Sequence, residues 1–149
     1  MKSLWSLLRG FMRMSNEMIV FSNIENACYS SVKAETKEDK VKLYNISTNP
    51  DYKVADMINK VIAIKDVYAE VIKMPDKETG ELYDTVRIIL IDKDGKSYQS
   101  ISKGIYNSIQ KIMALMGPPT WEDPIKVEVK QITRGSGNEV RHVQILQMV

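Results

Sequence analysis

One helical segment set among strand-like sequence constrains this chain more than any other feature. Ile105, Ile109, Ile112 and Met116 fall at i, i+4, i+7 and i+11, on one face of a helix. Ser102 can cap its start, because a hydroxyl accepts from a backbone N–H that the first turn leaves orphaned. Gly117 can close its end, and Pro118-Pro119 forbids continuation. Before the helix, residues 61–73 are rich in branched side chains and long enough for a bent strand. Residues 74–81 form a polar loop, and 85–91 make a second strand. Asp92-Lys-Asp-Gly95 is a hairpin turn where Gly95 takes a positive φ cheaply, and 96–101 is a third strand. After the helix, 125–130 alternate apolar with charged residues, a fourth strand with one wet face. The loop 133–139 carries Gly135 and Gly137, and 140–148 is a fifth strand.

The expected order is β-β-β-α-β-β, an all-β chain with one helix. A five-stranded sheet with its helix at that point can close into an OB barrel, the helix plugging one end. An unrelated α+β sheet of the same order is the alternative. The domain is expected over 41–149. Residues 41–45 alternate and could be a short strand, Asn49-Pro50-Asp51 signals a turn, and Val54, Met57 and Ile58 fit a helical turn. Residues 14–40 read as a mobile approach ending in the charge-rich stretch 33–40. Residues 1–13 hold Lys2, Arg9, Arg13 and no acid, with Leu4, Leu7, Leu8, Phe11 and Met12 at helical spacing. Arg9 breaks this stretch too early for a secretory apolar core, and no small-residue cleavage site follows. It reads as a cationic extension, loosely helical or disordered, with Met14 as an alternative start. No run approaches the ~18 apolar residues of a membrane span, so no membrane partner is expected.

The charge balance excludes a strongly basic coat protein. Of 149 residues, 21 are Lys or Arg and 19 are Asp or Glu, a formal +2. From Met14 onward the balance is 18 against 19. Affinity for a polyanion must therefore come from where the charges sit. The single Cys28 excludes an internal disulfide framework and fits a reducing compartment. With the single His142 it makes no recognisable zinc set. The common phosphate-loop, dinucleotide, nucleophile-elbow and zinc-protease motifs are absent. Asp92 and Asp94 open like a calcium loop, but no further ligands follow at the required places, so a plain turn is the better reading. Glu122-Asp123 are loop neighbours without acid/base geometry, and Cys28 reads as inert packing. No catalytic residue, metal or cofactor is expected.

Single-strand binding without sequence preference needs aromatic faces for bases and cations for the backbone. The strands and their loops carry Tyr68, Lys73, Arg87, Lys96, Tyr98, Lys126, Lys130, Arg134 and Arg141. Each alone is ordinary surface solvation or partial packing. Their gathering around strands one to three and the loop between strands four and five is the signal, because OB folds bind oligonucleotides there. Lys103 at the helix start joins the candidate set. Trp121 follows two prolines and either meets a base or caps the barrel. Tyr106 reads as core edge, and His142 could stack on a base or sit at a barrel edge. Tyr98 depends on hairpin register. A two-residue Asp94-Gly95 loop puts Ile91 opposite Tyr98 and groups Tyr98 with Arg87 and Lys96. A three-residue loop with a bulge at Gly95 groups it with Val86, Ile88 and Leu90 instead. The first is adopted because it segregates charge from core.

Several segments in order resemble small bacteriophage single-stranded DNA-binding proteins. They are Lys42-Leu-Tyr-Asn45, Ile58-Asn-Lys60, Lys65-Asp-Val67, Thr79-Gly-Glu81 and Leu90-Ile-Asp-Lys-Asp-Gly-Lys-Ser-Tyr98. Ser102-Lys-Gly104, Asn107-Ser108 and Pro119-Thr-Trp-Glu122 complete the series. The resemblance runs from about Lys40 onward. It implies a non-enzymatic OB-fold protein that coats single-stranded DNA during phage DNA replication or recombination in the host cytoplasm. Single-stranded DNA is the implied partner, with phage replication or recombination proteins as further ones, and a homo-oligomer is left open. The final strand is expected to reach the last residue, so the acidic recruiting tail of bacterial single-strand binders is not expected. A β-barrel adaptor or structural phage protein, its cations merely solubilising it, is the competing reading.

Overall fold

A computed structural model describes Met18–Ile19 and Cys28–Val149. The expectations for residues 1–13, and for nearly all of 14–27, lie outside the described residues. Eight strands and two helices follow in order: β1 (Met18–Ile19), β2 (Cys28–Ser30), α1 (Lys37–Thr48), β3 (Tyr52–Lys53), β4 (Val61–Pro75), β5 (Leu82–Asp92), β6 (Ser97–Ser100), α2 (Lys103–Met116), β7 (Ile125–Arg134) and β8 (Arg141–Met148). They build one curled, mixed sheet, a half-barrel.

Strand β4 is the hub. Fifteen residues long, it serves different neighbours along its length. Its first four residues pair antiparallel with β7, and from Asp66 to Pro75 it runs beside β5. A register shift between Ile64 and Asp66 marks the bend. Such an irregularity sharpens twist and lets one strand join two parts of a sheet. The other edge of β4 pairs Tyr68, Ala69 and Glu70 with β2. Strand β5 continues to β6, and β6 pairs in parallel with β3. Strand β7 continues to β8.

The curl encloses the main core. Ile62, Ile64, Val67, Ala69, Val86, Ile88 and Leu90 line its concave side, all buried. Helix α2 fills it with Ile105, Ile109, Ile112 and Met113. The predicted helix and its Gly117 end are therefore seen, and Gly117 takes φ +83°. Close approach of α2 to β8 depends on two small residues. A Cβ at Gly104 would run into the Gln144 carbonyl oxygen and the Val143 side chain. The Ser108 hydroxyl donates to the Gly104 carbonyl at 2.8 Å and accepts from the Leu146 N–H at 3.1 Å.

The structure corrects three expectations. The described residues hold two α-helices, and the stretch expected as a strand at 41–45 lies inside α1. Thr36 caps α1 in a capping box, its hydroxyl accepting from Asp39 N–H at 3.1 Å while Asp39 takes the Thr36 N–H. This local capping chemistry outweighs the short alternation, and Leu43 then buries against the sheet. The strand count is a second correction. The five core strands keep the expected order, but β2 and β3 enlarge the sheet, and among the described residues β8 pairs only with β7. The sheet is thus curled and barrel-like, with more strands among the described residues than the five expected. The third correction concerns the hairpin: Leu90 faces Tyr98 and Ile91 faces Ser97, so the loop has three residues. Its driver is Asp92, whose Oδ1 accepts from the N–H groups of Asp94 at 2.8 Å and Lys96 at 3.0 Å. Gly95 at φ +84° completes the turn.

Glycine to alanine inside a helix ordinarily stabilises by about 1 kcal/mol. Gly104→Ala should reverse that sign and lower stability by about 1–3 kcal/mol, the usual cost of overpacking. Thermal denaturation checks it; an unchanged or higher melting temperature would show that α2 does not need this contact with β8.

Candidate nucleic-acid interface

The outer face of the β4–β5–β6 region was the expected binding face, and α1 covers part of it. A second core forms there from Cys28, Leu43, Tyr68, Ile89 and Ile91, with Val32, Ala34 and Ile46 packed against it. Tyr68 is buried in this layer and donates its hydroxyl to Glu70 at 2.9 Å. Burial, then the neighbouring Glu70 charge, drives its phenol well above the ordinary range. Burial likewise raises the Cys28 thiol. Arg87 is held between partners: it pairs with Glu70, donates to the Ser47 carbonyl at the end of α1, and reaches Gln99 Oε1 at 3.3 Å. These bonds tie the helix to the sheet and engage the guanidinium inside the fold.

Tyr98 does not share a face with Arg87, contrary to expectation: Arg87 lies on the Gln99 side, while Lys96, two residues before Tyr98, stays near it. It is 6% exposed, packs in the main core and donates its hydroxyl to Asp92 Oδ2 at 2.8 Å. Burial is the first cause raising its phenol, and the Asp92 bond the second. At this corner the ring that reaches solvent is Tyr52. It is 42% exposed and stacks on Tyr98, ring centroids 5.2 Å apart and 21° between planes. Lys96 Nζ lies 5.6 Å from the Tyr52 centroid and 3.4 Å from its hydroxyl, a contact that raises the Lys96 ammonium. Asp51 anchors this corner by accepting from Ser97 N–H at 3.0 Å and Ser97 Oγ at 3.2 Å. The result is an exposed ring, backed by a fixed ring and flanked by a cation, which is the form of a base-stacking platform.

A second surface gathers the cations. A groove of about 580 Å³ runs between α2 and β8, with Lys103 and Lys111 on the helix and Arg141 on the strand. Arg134 faces Arg141 across the β7–β8 pair and completes the set. Val143 and Ile145 form its half-buried apolar floor. No acidic side chain lines it. Three expected site residues, Lys103, Arg134 and Arg141, therefore meet in one place. Lys111 joins them because it lies two helical turns beyond Lys103.

The remaining expected residues are dispersed. Lys73 pairs with Asp84 at 3.4 Å near the β4–β5 loop. Trp121 is buried in the main core and donates Nε1–H to the Gly117 carbonyl at 3.1 Å, the capping role. His142 is exposed opposite Thr133, its Nδ1 3.4 Å from the hydroxyl. A smaller groove of about 500 Å³ places Lys53 and Arg87 beside Ile72, Met74 and Ile101. Sequence reading missed Tyr52 and Lys111. Tyr52 follows directly on a Pro-Asp turn signal, a hint that it would sit at an exposed corner; Lys111 was legible from helical spacing with Lys103.

A curled β-sheet with an exposed aromatic corner and an acid-free cationic groove defines a polyanion-binding class of protein. The family model described as phage single-stranded DNA-binding protein matches residues 22–146, and the chain belongs to that family. No curated protein and no solved structure matches it significantly.

The Tyr98 assignment is testable by stability. Truncating a buried aromatic costs about 3–5 kcal/mol. Tyr98→Ala should therefore lower the denaturation midpoint strongly; a variant as stable as the parent would return Tyr98 to the surface.

Proposed function

We propose that this protein is a non-enzymatic, largely sequence-independent single-stranded DNA-binding protein that coats the strand during phage DNA replication or recombination in the host cytoplasm. Family membership over residues 22–146 carries this reading. The geometry supports it in two ways. The four groove cations offer charge to phosphates, a contact that carries no sequence information. Tyr52 offers a π-face, which every base can use. Among the described residues neither helix projects as a free recognition element, since α1 lies on the second core and α2 fills the main one. Among the described residues no group of three or more His, Cys, Asp or Glu is placed to hold a metal ion, and no helix is long and apolar enough to cross a membrane.

Counterion release makes such binding strongly salt-dependent. In gel shifts, an unstructured oligonucleotide should be retained at low salt and released as salt rises, with mixed sequences bound about equally. A duplex of the same length held as tightly as the single strand would contradict the proposal and favour a general polyanion binder.

Tyr52 separates stacking from folding. Tyr52→Ala should weaken oligonucleotide binding by about 1–3 kcal/mol, the value of one base–aromatic stack, while the melting temperature moves little. Unchanged affinity in a folded variant would remove Tyr52 from the interface.

A further inference from the structure

We infer that the phosphate backbone of the bound strand runs along the groove between α2 and β8, over Lys103, Lys111, Arg134 and Arg141, and not across the outer face of β5 and β6. The inference rests on the single-strand-binding reading and specifies its site. Two observations carry it.

First, the part of the outer face around Tyr68, Ile89 and Ile91 is occupied. Helix α1 buries Leu43 against Tyr68, Ile89 and Ile91, and Arg87 is engaged by Glu70, Ser47 and Gln99. A strand laid there would have to displace a packed layer and break an ion pair. Second, the groove needs no such rearrangement. All four of its cationic residues are exposed, and no ion pair to any of them is seen among the described residues. Lys103 and Lys111 are eight residues apart on α2, a rise of about 12 Å, longer than the ~3.4 Å of axis that each phosphate of one stacked strand occupies. The track therefore spans more than one phosphate. Its shape is fixed by Gly104 and Ser108, which seat the start of α2 directly on the β8 backbone. No aromatic residue lines the groove, so it holds the backbone while the bases are left to other surfaces.

The test uses the full chain and oligo-dT. Each phosphate contact on a single strand contributes about −0.7 to the slope of log K against log salt. The double variant Lys103→Gln/Lys111→Gln should bind at least tenfold more weakly at low salt, with a slope shallower by about 1.4. A matched control, Lys37→Gln/Lys42→Gln on the exposed side of α1, removes the same charge and should bind like the parent. Acetylation of the unaltered chain gives a readout free of any folding defect: saturating oligo-dT should protect Lys103 and Lys111 and leave Lys37 and Lys42 reactive. If the parent binds oligo-dT but the groove variant keeps its affinity and slope, or the groove lysines stay reactive, the inference is overturned and the binding function stands. If the parent does not bind oligo-dT, the functional reading itself fails.

Discussion

Everything in this structure depends on the bend in β4. A straight strand has two edges and serves one pair of neighbours along its length. The shift between Ile64 and Asp66 turns the strand, so its first part pairs with β7 and its second with β5 and β2. That turn curls the sheet and creates the concave side that α2 fills. It also swings β7 and β8 to where β8 meets α2. Polar contacts secure the bend: Ser31 Oγ donates to Asp66 at 2.9 Å and accepts from Val67 N–H at 2.9 Å, and the Thr120 hydroxyl also reaches Asp66. The loop carrying Trp121 is thereby fixed to the same corner, where Trp121 N–H donates to the Lys65 carbonyl at 2.9 Å.

Function follows from what the curl leaves outside. The concave side holds the main core. The other side carries a second hydrophobic layer under α1, and the cationic groove lies where α2 meets β8. A nearly neutral chain thus gathers four cations in one groove by segregating charge, which composition alone conceals. Tyr52 adds a stacking ring at another corner, held in place because Tyr98 beneath it is anchored by Asp92.

The elements with long, one-sided patterns were legible in the sequence. Strands β4 to β8 and helix α2 lie close to where branched runs, alternation and the Ile stripe place them. Two things escaped, each for a physical reason. Helix α1 hides because only Leu43 is buried while Val41 and Tyr44 are exposed, so its apolar residues make no one-sided stripe and its signal is the Thr36–Asp39 capping box. Hairpin register hides because one carboxylate decides it. Asp92 accepts two backbone N–H groups and the Tyr98 hydroxyl, which favours the three-residue loop over a charge-segregating one. That single-residue difference moved Tyr98 from the expected interface into the core. Of the expected site residues, those on flexible-looking loop and helix ends, Lys103, Arg134 and Arg141, converge; those within the central strands, Tyr68, Arg87 and Tyr98, are committed to packing.

The most direct measurement is amide chemical-shift mapping of the chain titrated with oligo-dT. The account predicts that the largest changes fall on 103–111, on 134 and on 141–145, with a second group around Tyr52, while the amides of α1 stay where they are. Changes centred on α1 and the strands beneath it, with the α2–β8 groove silent, would contradict it.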